Sequence, residues 1–257
     1  MPSEIGHLVD SGQTYPVVRL TGVLDAETAA ATRSALVGVL AQGPEALIVD
    51  VNDLAAAGPD ATDVLRAVAR ENANWPAAHL GLCATDPDRW QTSGLPVWPS
   101  HAEAFAALGA PERNRYLEVE LEPVVGAARR ARALVIEACG RWELPELAEP
   151  ASVVVTELVN NAVVHARTPM TVLLTRQGDS ISVAVRDHSS ARPRFAGPVA
   201  PTAYGGRGLL LIDAMARRWG NLGLVDGKVV WALLEDEAPD GPGARLDRAG
   251  IPDPARG

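Results

Sequence analysis

The ten residues Thr156-Glu157-Leu158-Val159-Asn160-Asn161-Ala162-Val163-Val164-His165 put a carboxylate and a carboxamide four apart within an apolar run. On a helix that spacing makes Glu157 and Asn161 neighbours on one face. Apolar positions fill most of the circumference, so the helix is predicted to be buried. A buried helix avoids Glu and Asn unless they have a use. The amide oxygen of Asn161 could bind a hard cation such as Mg2+, which leaves Glu157 free to act as a base. The alternative is an exposed polar stripe in which the two side chains hydrogen-bond to each other. Asn160, three residues from Glu157, points elsewhere and is read as a bystander.

Two further segments carry chemical potential. Val185-Arg186-Asp187-His188-Ser189 places an acid at the exit of an apolar strand, where it could accept a hydrogen bond from a ligand amine. Its alternative is a turn-forming Asx residue, with His188 as a plain loop residue. Tyr204-Gly205-Gly206-Arg207-Gly208-Leu209 is a glycine cluster opening a helix. Backbone N–H groups there can approach an anion, and the positive helix end favours phosphate. It is not a dinucleotide fingerprint: Gly206-x-Gly208-x-x-Leu211 lacks the third glycine and follows a proline-rich stretch, not a strand. A flexible start to the helix is the bland alternative. Of the 23 basic residues only Lys228 is a lysine, and Asp226-Gly227-Lys228-Val229 is the context of neither a P-loop nor a kinase strand lysine. Any nucleoside triphosphate must be held without a phosphate-gripping lysine.

In order and spacing these three segments resemble the N-box, G1 and G2 boxes of the GHKL ATPase superfamily, and most closely its anti-sigma-factor serine kinases. The resemblance spans roughly residues 123–235. It implies a Bergerat-type ATP site with no P-loop lysine, in which Asn161 holds Mg2+ and Glu157 is the general base. It further implies that Asp187 accepts the adenine amino group. Gly205, Gly206, Arg207, Gly208 and Leu209 would meet the phosphates beneath a lid formed by residues 189–204. One departure is plain: the usual Asp-x-Gly-x-Gly is Asp187-His188-Ser189-Ser190-Ala191 here. The first half resembles a STAS domain, the fold of anti-sigma-factor antagonists, through Val49-Asp50-Val51 and the later Asp60-Ala61-Thr62-Asp63. Thr62 falls where that family carries a phosphoacceptor, although Asp63 replaces the expected glycine, and a cap at the helix start is the alternative role. Together the resemblances imply a cytoplasmic bacterial regulator that transfers phosphoryl from Mg-ATP to a Ser or Thr of a STAS-type antagonist. The alternative is a module in which ATP, or nothing, holds a surface that captures a sigma factor or a STAS protein. A homodimer fits either version.

The elements that position these residues follow from patterning. Residues 15–24, 46–51 and 79–84 read as strands. They alternate with helices from Asp25 to Gly43, over 62–70 and over 101–108, which implies an α/β layer. The polar, proline-containing stretch 110–115 marks a boundary. Beyond it, helices over 124–140 and 150–165 precede strands at 170–176 and 180–186. In the second of these strands Ile181, Val183 and Val185 alternate with Ser182 and Ala184, the pattern of a half-buried strand. A helix from Gly206 to Gly220 and a hairpin turning at Asp226-Gly227 complete the half. Arg129, Arg130 and Arg132 mostly fall off the apolar face of their helix and are read as solvated. The expected fold is therefore an α/β chain: a STAS-like domain over residues 1–112 and a Bergerat-type sandwich over 113–236, with helices on one face of a mainly antiparallel sheet. A Pro/Gly-rich, acidic tail over 237–257 is expected to be disordered.

Composition narrows the function classes. With 257 residues, 47% hydrophobic and 21% charged, the chain has an ordinary globular balance. A net charge of −9 argues against binding the phosphate backbone of nucleic acid. No stretch approaches the roughly 18 apolar residues of a membrane span, and the start lacks a basic region ahead of an apolar core. The two cysteines, Cys83 and Cys139, lie in apolar runs and are read as buried thiols in a reducing compartment. Two thiols, five scattered histidines and no His-x-x-x-His pair argue against a structural zinc site.

Overall fold

The computed structural model describes residues 4–56, 60–112, 114–189 and 207–236. The glycine cluster residues Gly205 and Gly206, most of the expected lid and the expected tail lie outside them. Among the described residues the chain forms a mixed α/β structure with two five-stranded sheets. No helix among them is long and apolar enough to cross a membrane.

The first sheet has the order β1-β2-β3-β4-β5, formed by Ile5–Asp10, Val17–Leu24, Ala46–Ala56, His79–Cys83 and Val97–Trp98. β1 pairs antiparallel with β2 and the remaining neighbours are parallel. Helices α1 (Ala29–Leu40) and α2 (Asp60–Asn74) connect the parallel strands, as parallel pairing requires. Val18, Leu20, Leu47, Val49 and Leu82 fill the core on one face together with Leu36, Leu40 and Leu65. α3 (His101–Leu108) covers the other face, where Val17, Ile48, Cys83 and Ala104 meet. Its ends are written locally: Ser100 caps the N-terminus by accepting the Glu103 N–H at 3.2 Å, and Gly109 ends it at φ 79°. β1 and β5 escape a reading by periodicity because the first is largely exposed and the second has two residues.

The second sheet has the order β6-β7-β8-β10-β9, formed by Tyr116–Leu121, Met170–Gln177, Ser180–Asp187, Gly227–Glu235 and Arg218–Leu224, and every pairing is antiparallel. Helices α4 (Ala127–Trp142), α5 (Ala148–Asn161) and α6 (Arg207–Met215) share a core with Val172, Leu174, Ile181, Val183, Val185, Ala232 and Leu234 of the sheet.

Two expectations are corrected here. The last helix does not run to Gly220: it ends at Met215, and β9 starts at Arg218 because residues 218–224 pair with β10. Gly220 is no helix stop. A Cβ there would lie 2.8 Å from the Trp231 ring, so its bareness makes room for the cross-strand tryptophan. Nor is β8 half-buried: Ser182 and Ala184 are as buried as Ile181 and Val183. The sheet face without its own helices joins the core of the first half through Leu173, Ala184, Leu222, Val229 and Trp231. Trp75 Nε1 donates to Ser182 Oγ at 3.1 Å across this junction, and Gln177 Nε2 donates to the Pro76 carbonyl at 3.1 Å.

Candidate nucleotide site

α5 points Ala151, Val154, Val155, Leu158 and Val159 into the core, which leaves Glu157 and Asn161 half-buried at its margin and Asn160 exposed. Asn161 is the last α-helical residue; a π-helical turn, Ala162–Ala166, follows it. Such turns shift the side chains that follow them and recur at functional sites. Glu157 lies against the start of α6: a Cβ on Gly208 would collide with its carboxylate. The glycine therefore lets the backbone of an opening helix come up to an acid on a neighbouring one. Leu209, the next residue, is buried in the second core, so it can reach a ligand only through its backbone. Arg132, expected in solvent, instead donates from Nη1 to Thr156 Oγ1 at 3.1 Å, beside Glu157. Arg129 and Arg130 are exposed.

Asp187 ends β8, and its side chain is buried, 4% exposed. Its Oδ1 accepts the Ser189 N–H at 2.8 Å, an Asx turn, and also the ammonium of Lys228 at 2.8 Å. Lys228 is placed by register, since it pairs directly with Asp187 across β10 and β8. Its Nζ also reaches the Ser189 carbonyl at 3.3 Å. A Cβ on Gly227 would clash with the Asp187 carbonyl, so the hairpin glycine allows the two strands to close at this point. The following residue is tied back as well: the His188 N–H donates to Thr168 Oγ1 at 3.1 Å. A ligand amine at Asp187 must thus share its carboxylate with Lys228. Nothing in the spacing of the sequence indicated that partner, because 41 residues separate the two.

In the first half Thr62 sits half-buried in the first turn of α2. Asp63 beside it pairs with Arg66, whose other nitrogen donates to the Thr92 carbonyl at 2.5 Å.

Several solved structures resemble parts of the chain, among them the following two. An anti-sigma factor antagonist from Mycobacterium paratuberculosis is 25% identical, with 42% of this chain and 96% of that one covered at a TM-score of 0.36. The RsbU and RsbW domains of Rv1364c from Mycobacterium tuberculosis are 19% identical, with 49% of this chain and 33% of that one covered at a TM-score of 0.37. No curated protein matches the sequence. Residues 121–230, the segment that carries Glu157, Asn161, Asp187 and Gly208, match the family model of the histidine kinase-like ATPase domain.

Proposed function

We propose that residues 113–236 form an ATP-binding domain whose chemistry is phosphoryl transfer to a Ser or Thr of a partner protein, and that residues 1–112 form a regulatory STAS-like domain. The observation that carries this reading is the meeting of Glu157 with the bare backbone of Gly208, inside the segment that matches a histidine kinase-like ATPase domain. The donor set suits the ligand. Asn161 offers an amide oxygen to Mg2+, the start of α6 offers backbone N–H groups to phosphate, and Asp187 offers an acceptor to the amino group of adenine. Bound Mg-ATP would supply the phosphoryl group and the charge neutralisation that the transfer needs. Glu157 takes the proton of the acceptor hydroxyl as that oxygen attacks. Gly205, Gly206 and Arg207 extend the phosphate contact made at Gly208. The partner is an anti-sigma-factor antagonist of STAS type, with Thr62 as an acceptor within the same chain, and the output is a switch of binding partners.

A second reading has its own observation. Lys228 already occupies the Asp187 carboxylate, which favours a module that binds partners and uses nucleotide weakly or not at all. Calorimetric titration of the full chain with Mg-ATP, paired with transfer assays on candidate antagonists, separates the two. Under the kinase reading Glu157→Gln keeps nucleotide affinity while transfer falls roughly 10²–10⁴-fold, the usual worth of a general base. Asp187→Asn weakens ATP by about 1–3 kcal/mol. Full transfer by Glu157→Gln sinks the kinase reading. Absence of any nucleotide binding by the unaltered chain leaves only the partner-binding module.

A further inference from the structure

Asp50, Cys83 and His101 form a group that the proposed nucleotide chemistry does not use. Asp50 and Cys83 are register partners on the parallel strands β3 and β4, so their side chains stand side by side on the α3 face of the sheet. His101, the first residue of α3, comes down over them. One oxygen of Asp50, the Cys83 sulfur and one ring nitrogen of His101 all lie within 4.8 Å of one another. Cys83 is the last residue of β4, so the group lies where that strand leaves the sheet, the end at which open α/β sheets place their ligands.

We propose that these three side chains form a Zn2+ site, with Asp50, Cys83 and His101 as ligands and the fourth position left to water. The ligand set is the first argument. A thiolate, an imidazole and a carboxylate together select zinc-like ions over Mg2+ or Ca2+, which take oxygen shells. Geometry is the second. Zinc bonds of about 2.0–2.3 Å hold tetrahedral ligand atoms roughly 3.3–3.8 Å apart, so the group closes on an ion with shifts of about 1 Å. Support around the ligands is the third. Asn52 donates from Nδ2 to Asp50 Oδ1 at 2.8 Å and from its backbone N–H at 3.1 Å, and its own Oδ1 is fixed by the Thr85 N–H at 2.8 Å. The same Nδ2 lies 4.0 Å from Cys83 Sγ, so one residue orients two ligands.

Access and charge also fit. Asp50 and Cys83 are buried, whereas the His101 side chain is 31% exposed and leaves a route from solvent. Asp50 Oδ2 now accepts from Arg19 Nε at 3.3 Å and lies 3.0 Å from His101 Nε2. The ion takes over both contacts: it enters between the carboxylate and the imidazole, and the half-exposed Arg19 side chain withdraws to solvent. Cys83 binds as thiolate, so each ion taken up releases the thiol proton to water.

Titration of the full chain with Co2+, read by absorbance, tests the site. The expected result is one equivalent bound, with the near-ultraviolet charge-transfer band of a cobalt thiolate, and displacement of that band by Zn2+. Cys83→Ser abolishes the band, and Cys139→Ser, which changes the other buried thiol, leaves it unaltered. His101→Ala weakens the affinity at least about tenfold, a loss that even outer-sphere changes can reach. If Cys83→Ser does not fold, the melting temperature decides: Zn2+ raises it more in the unaltered chain and in Cys139→Ser than in His101→Ala. No thiolate band in the unaltered chain, a band that survives Cys83→Ser, or equal zinc stabilisation of His101→Ala overturns the proposal.

Discussion

Asp50 in the first sheet and Asp187 in the second share a local design. Each is buried, and each turns one oxygen onto the backbone N–H two residues ahead, that of Asn52 in one case and Ser189 in the other. They differ in the company that tertiary structure gives them. Asp187 faces Lys228, a cation only 12% exposed, across an antiparallel pair. Asp50 faces Arg19, 48% exposed, along with His101 and Cys83. Burial pushes the Asp50 carboxyl up, yet the Asn52 hydrogen bonds, His101 and Arg19 outweigh it and hold the group below its ordinary value. Asp187 belongs to a closed ion pair. Asp50 belongs to a cluster of several donors with one side open. The same residue making the same local hydrogen bond therefore serves two electrostatic purposes, according to what the neighbouring strand or helix brings to it.

The largest effect that sharpens this contrast should come from Lys228→Met. It leaves Asp187 charged, buried and without its cation, and should cost about 3–5 kcal/mol of unfolding free energy in urea melts. Adding Asp187→Asn should recover part of that loss, because the uncompensated charge is then gone. Trp75→Phe should come next, at about 1–3 kcal/mol, since it leaves the buried Ser182 hydroxyl without its tryptophan donor. Arg19→Ala should cost least, under about 1 kcal/mol, because the guanidinium is half in water and Asp50 keeps its Asn52 and His101 contacts. A loss on Arg19→Ala equal to that of Lys228→Met would break the comparison and show the two aspartates to be energetically alike.

The sequence by itself determined what depends on near neighbours. The close of α3 was legible in Gly109, the β9–β10 hairpin in its Asp226-Gly227 signal although the turn itself falls one residue earlier at Val225-Asp226, and the adjacency of Glu157 and Asn161 in their spacing of four. Each rests on contacts within one turn of backbone, where residue type decides the outcome. Tertiary structure decided the rest. Small residues at 182 and 184 read as a solvent face, yet they are where the first half packs onto the second sheet. Gly220 read as a helix stop, yet it serves Trp231 on the next strand. Lys228 meets Asp187 across 41 residues, and His101 meets Asp50 across 51. Periodicity tells which side of an element is apolar, but strand order and register choose what that side meets. The Asp50, Cys83 and His101 group has no spacing motif for that reason: it exists only once two parallel strands are in register and a helix has crossed their ends.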